Sequence, residues 1–121
     1  MLRIACIIPT YNGKPELSRL LASLKRQTAK FDTFVVDSSS SDGTQALAIE
    51  HGFHPHVIPS AEFNHGGTRQ LMVDRNPGYD VYVFLTQDVE LVDPDAIASI
   101  TAPFDDSKVG AVYGRQLPHL D

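Results

Sequence analysis

The chain has 121 residues, 42% of them apolar and 21% charged, with a formal net charge of -5. Those proportions exclude disordered and collagen-like classes, and about 65% of the unfolded surface can be buried at this length. No run of Lys or Arg stands against the acidic balance, which excludes nucleic acid as the main partner.

Cys6 is the single cysteine and lies inside the apolar run Ile4 to Ile8, so it reads as a small buried hydrophobe in a reducing compartment. No stretch approaches the roughly 18 apolar residues of a membrane span, and Met1 leads straight into a strand without a signal peptide. These features predict a cytoplasmic protein.

The elements alternate along the chain. Arg3 to Ile8 reads as a strand buried on both faces, stopped by Pro9-Thr10-Tyr11-Asn12-Gly13. Pro15 then opens a helix whose Leu17, Leu20, Leu21 and Leu24 recur at helical spacing. Phe31 to Val36 forms the second strand and leads to Asp37 and the polar run Ser38 to Gly43. Thr44 to His51 predicts a helix closed by Gly52.

His54 to Ile58 reads as a third strand, weakened by its prolines, and Asn64 caps a helix from about His65 to Arg75. Asp80 to Leu85 predicts strand four, Asp93-Pro94-Asp95 opens another helix, and Val109 to Tyr113 predicts strand five. This order implies an α/β fold built on a mainly parallel sheet with right-handed crossovers. The chain stops just after the last predicted strand, with no helix to cover that edge, which reads as truncation of a longer domain.

In such sheets ligands bind beyond the carboxyl ends of the strands, where the strand order reverses. Three clusters fall there: Pro9 to Asn12, Asp37, and Gln87-Asp88. Neither G-x-G-x-x-G nor G-x-x-x-x-G-K-[ST] occurs, so diphosphate is not held by either of those loops. A metal ion is the usual substitute. Asp88 is placed to hold Mg²⁺, which is commonly bound by one or two carboxylates together with substrate phosphates.

The segments Ile7-Ile8-Pro9-Thr10-Tyr11-Asn12-Gly13 and Val35-Val36-Asp37-Ser38-Ser39-Ser40-Ser41-Asp42-Gly43-Thr44 resemble the opening of family-two glycosyltransferases with the GT-A fold. Phe63-Asn64-His65-Gly66-Gly67-Thr68-Arg69, Leu85-Thr86-Gln87-Asp88 and Val112 to Pro118 resemble the rhamnosyltransferase branch. The resemblance spans nearly the whole chain. It implies that residues 1–121 are the nucleotide-sugar-binding, N-terminal half of a GT-A domain.

The resemblance also implies a nucleotide-binding set of Pro9, Thr10, Tyr11, Asn12, Asp37, Arg69 and Gln87. Pro9 and Tyr11 would line the base pocket, Asp37 would accept from base or ribose, and Arg69 would face the nucleotide. Asp88 would ligate a divalent cation, Mg²⁺ or Mn²⁺. The family's Asp-x-Asp is Thr86-Gln87-Asp88 here, which leaves one carboxylate, as in the rhamnosyltransferase branch.

The implied reaction is inverting transfer of a sugar such as rhamnose from a dTDP- or UDP-linked donor to a saccharide or lipid-linked acceptor of a cell-surface polysaccharide. The cytoplasmic protein would then work at the inner face of the membrane. The catalytic base is expected beyond Asp121, the fragment alone is expected to be inactive, and the uncovered edge invites a homo-oligomer.

Each residue also has a plainer reading. Asp37 could form an Asx turn, Asp88 could be a solvated carboxylate, Arg69 a surface helix residue and Tyr11 a packing residue. His65 beside Gly66-Gly67 suits capping as well as phosphate contact, and His51, His54, His56 and His119 lack zinc-site spacing. The rival functions are a nucleotidyltransferase, which would need a Gly-rich Arg/Lys loop after strand one, and a non-catalytic nucleotide-binding module.

Overall fold

The computed structural model describes residues 2–105. Four strands, β1 (Ile4–Thr10), β2 (Asp32–Asp37), β3 (His56–Val57) and β4 (Val81–Phe84), form one sheet in the order β3-β2-β1-β4. All three pairings are parallel. The helices are α1 (Lys14–Lys25), α2 (Thr44–Glu50), α3 (His65–Arg75) and α4 (Ala96–Thr101). The fifth strand expected at Val109 to Tyr113, and the Val112 to Pro118 segment, lie outside the described residues.

β1 is central among these strands, and every residue in it is buried. Its side chains alternate between two cores. Ile4, Cys6 and Ile8 join Leu17, Leu20, Leu21 and Leu24 of α1, Leu47 of α2 and Ile97 of α4. Ile7 points the other way, into a smaller core with Val36, Ile58 and Met72 of α3. Coverage of both faces is why the strand reads as a continuous apolar run rather than an alternating one.

β1 does not stop at Pro9, as the sequence suggests, but continues through Thr10. In a strand the backbone polar groups of successive residues point to opposite sides. The Ser38 amide donates to the Thr10 carbonyl on the β2 side, whereas the Leu85 amide donates to the Ile7 carbonyl on the β4 side. Pro9 shares the Ile7 side. Its missing N–H therefore faces a position past the β1–β4 register, which ends at Ile7 opposite Phe84, and no ladder bond is lost there.

β3 shrinks to two residues because Pro55 and Pro59 bracket it, leaving His56 opposite Val36 and Val57 opposite Asp37. The helix starts follow ordinary chemistry. Pro15 sits in the first turn of α1, and the Asn64 side chain accepts from the Gly67 amide at 2.9 Å at the start of α3. Asp95 precedes α4 directly.

Candidate functional site

The chain runs from β1 through β2 to β3 in one direction and then returns to place β4 on the other side of β1. The reversal falls between the carboxyl ends of β1 and β4, the position where open α/β sheets form their ligand crevice. Three loops meet at this end: Tyr11 to Gly13 after β1, Ser38 to Gly43 after β2, and Leu85 to Glu90 after β4.

The first two loops are tied together. Asn12 takes a φ of 45°, a conformation Asn tolerates better than most residues, and its Oδ1 accepts from the Ser41 amide at 2.8 Å. Its own amide donates to Ser40 Oγ at 2.8 Å, and the Lys14 amide donates to Asp42 Oδ2 at 3.2 Å. Asp42 also accepts from the amide and hydroxyl of Thr44. The Thr44 hydroxyl foremost holds the Asp42 carboxyl below the usual range.

Asp37 lies beneath this clamp. The sequence suggests that it meets a ligand, but the carboxylate is turned inward at 0% exposure. Its Oδ1 accepts from Thr10 Oγ1 and Ser40 Oγ, both at 2.6 Å, and its Oδ2 accepts from the Ser40 amide and Gln45 Nε2, both at 2.8 Å. Four protein donors use its accepting capacity. Thr10 and Pro9 are also buried, so of the first cluster only Tyr11 and Asn12 face outward.

Tyr11 is 53% exposed, leaving its ring open at the rim of the crevice. Gln87 reaches across from the β4 side and takes both backbone groups of Tyr11. Its Oε1 accepts from the Tyr11 amide at 2.9 Å and its Nε2 donates to the Tyr11 carbonyl at 3.0 Å. Gly13 makes room for this bridge, since a Cβ there would lie 2.3 Å from the Gln87 amide carbon.

The amides of Tyr11, Asn12 and Lys14 are thus all engaged by side chains. This loop is not a cradle of free N–H groups awaiting phosphate.

Asp88 follows Gln87 in a turn closed by the Val89 amide on the Thr86 carbonyl at 3.1 Å, and it is exposed. No cluster of three or more His, Cys, Asp or Glu side chains that could hold a metal occurs among the described residues. The donor set fits a hard cation only if one carboxylate is completed by ligand phosphates and water, which is ordinary for Mg²⁺.

Arg69 is not drawn into the cluster by any hydrogen bond shown; its Nη1 donates to the His65 carbonyl of its own helix at 2.8 Å. A broad depression of about 710 Å³, lined by Leu24, Phe31, Phe53 and Tyr79, lies at the opposite, amino ends of the strands. The functional candidates are not there. Sequence reasoning missed Ser40 and Asp42, whose polar run carried the signal without showing which oxygen meets which partner, and Gln45 in the first turn of α2.

The doubly wound sheet and the crevice at its reversal define an α/β protein of the GT-A type. The chain belongs to glycosyl transferase family 2, whose model matches residues 5–120. It is 44% identical over 122 residues to the O-antigen chain rhamnosyltransferase RfbN of Salmonella typhimurium, covering 99% of this chain and 39% of that protein. It is 39% identical to the O-antigen chain rhamnosyltransferase WbaN of Salmonella anatum, over 95% of this chain and 37% of the relative. The chain therefore spans well under half the length of these relatives.

Among solved structures, the mannosyltransferase PcManGT of Pyrobaculum calidifontis, in complex with GDP-Man and Mn²⁺, superposes with a TM-score of 0.77 at 22% identity. The match covers 90% of this chain and 34% of that one.

Proposed function

We propose that residues 1–121 form the nucleotide-sugar-binding portion of an inverting glycosyltransferase that passes rhamnose from a dTDP- or UDP-linked donor to a growing cell-surface polysaccharide. The observation that carries this reading is the grouping of side chains at the switch point between β1 and β4. An exposed aromatic ring, Tyr11, and an exposed carboxylate, Asp88, flank one switch point, held together by Gln87. The ring suits a pyrimidine face, and the carboxylate suits a diphosphate-bound cation. The rhamnosyltransferase relatives support the sugar and the polysaccharide acceptor.

In this reading Asp88 would hold Mg²⁺ or Mn²⁺ against the donor diphosphate, and a bound ion would supply positive charge for the departing phosphate oxygens. Tyr11 orients the base, Asn12 and Asp37 keep the loop beneath it rigid, and Arg69 on α3 would have to leave its His65 carbonyl to reach the nucleotide. The base that deprotonates the acceptor hydroxyl lies in a part of the enzyme outside these 121 residues.

The reading puts the enzyme in the cytoplasm, at the inner face of the membrane where a lipid-linked acceptor would be met. A nucleotidyltransferase reading fits less well, because the loop after β1 has its amides occupied and lacks the Gly-rich cationic sequence such chemistry needs.

Calorimetric titration of the chain with UDP, dTDP and GDP, with and without Mn²⁺, tests the proposal. A pyrimidine diphosphate is expected to bind, and Mn²⁺ to strengthen it. No binding, or binding indifferent to metal and base, would sink it.

A further inference from the structure

We propose that Gln87 is a positioning residue that couples the base-binding and metal-binding sides of the crevice, and that it does not itself touch the nucleotide. The inference rests on the nucleotide reading above and narrows it. Gln87 and Asp88 are the two central residues of one tight turn, yet they differ in environment. Asp88 is exposed, whereas the Gln87 amide is half-buried and turned onto both backbone groups of Tyr11, at 2.9 and 3.0 Å.

That amide is held in one orientation. It meets the Tyr11 N–H with its oxygen and the Tyr11 carbonyl with its nitrogen, so a flipped amide would oppose like groups on both sides. The Gly13 backbone lies against it, where even a methyl group would clash at 2.3 Å. The turn that aims Asp88 is thereby bolted to the residue that presents the Tyr11 ring.

A nucleoside diphosphate must reach both at once, ring to base and carboxylate to metal. Two partial contacts at a fixed span give a linked ligand an advantage that neither fragment of it enjoys. Gln87 sets that span. The Asp-x-Asp pattern has thus lost its first carboxylate to Thr86, while its middle position acts as a cross-brace.

The test is a split of ligands on the parent chain and Gln87→Met, a variant of similar length that makes neither hydrogen bond. Uridine probes the ring side, Mn²⁺-pyrophosphate the metal side, and Mn²⁺-UDP both together. Uridine and Mn²⁺-pyrophosphate are expected to keep their affinity, while Mn²⁺-UDP weakens roughly ten- to a hundredfold, because binding must re-order two loops that their hydrogen bonds no longer hold, at a cost up to the worth of those two bonds.

Should the fragments lose affinity as much as UDP does, Gln87 is a direct ligand contact and the proposal is wrong. Unchanged Mn²⁺-UDP binding overturns it as well. If Gln87→Met does not fold, Gly13→Ala displaces the same amide with Gln87 retained, and the same split decides. A parent chain that binds no Mn²⁺-UDP at all refutes the nucleotide reading instead, and the coupling falls with it.

Discussion

Thr10 and Asp37 face each other in register across β1 and β2, and the threonine hydroxyl donates to the carboxylate at 2.6 Å with both side chains buried. The bond lies directly under the crevice floor. It joins the last residues of two strands whose loops then diverge to line the site.

Asp37→Ala strips four donors of their acceptor, of which the Thr10 hydroxyl is buried and the three on Ser40 and Gln45 are half-buried. A buried donor left unpaired costs about 1–3 kcal/mol and a half-buried one less, so an overall loss of roughly 3 kcal/mol is expected. Urea denaturation followed by circular dichroism gives the number. A variant as stable as the parent would mean that water enters the pocket and that Asp37 is free to serve a ligand.

Gly13→Ala places a Cβ into the Gln87 amide, at 2.3 to 2.5 Å from its three atoms. The side chain must leave, so both bonds to Tyr11 break. The far end of a flexible side chain gives way cheaply, so the cost is that of the two lost hydrogen bonds, about 1–3 kcal/mol. The Tyr11 amide should also lose protection from hydrogen exchange. Retained protection would show that the loop yields instead.

Asp88→Asn keeps shape and removes the charge a hard cation needs. Mn²⁺ should then cease to raise nucleotide affinity, while metal-free affinity and melting temperature stay near the parent values, since Asp88 is exposed. If the metal effect survives, the ligand is another acid such as Glu90 or Asp93.

Burial pushes the Cys6 thiol from 9.0 up to about 12. The unfolded thiol ionises first, so its contribution is whole below about pH 9 and lost as pH rises toward 12. Between these limits the parent should lose stability about 1.4 kcal/mol per pH unit faster than Cys6→Ala. Denaturation midpoints at pH 8 and pH 10.5 for both chains provide the comparison. Parallel slopes would mean that the thiol is solvated.

The alternation of strands and helices was legible because each helix signal is local. Leucines recur at helical spacing in α1, and Asn64 caps α3 within three residues of its partner. The roles of Asp37 and Gln87 were not legible in the same way. Asp37 is satisfied partly by Thr10, 27 positions away, and Gln87 by Tyr11, 76 positions away. A polar side chain at a strand end looks the same in sequence whether it faces water or a backbone from another strand. Only the register, set by the apolar faces of β1, decides which, and Pro9 misleads until the side to which its missing N–H points is known.

The place of β4 beside β1 also has a consequence in time. β1, α1 and β2 are contiguous and can condense on their own loops, whereas the Gln87 bridge waits for a closure of 76 positions. Long closures carry the larger entropy cost and form late. On a ribosome the first core would therefore assemble while the crevice is still missing one wall. Pulse labelling during refolding should show the Val36 amide, which faces β1, guarded before that of Tyr11, so that the wall between β1 and β4 is the last part of the site to close.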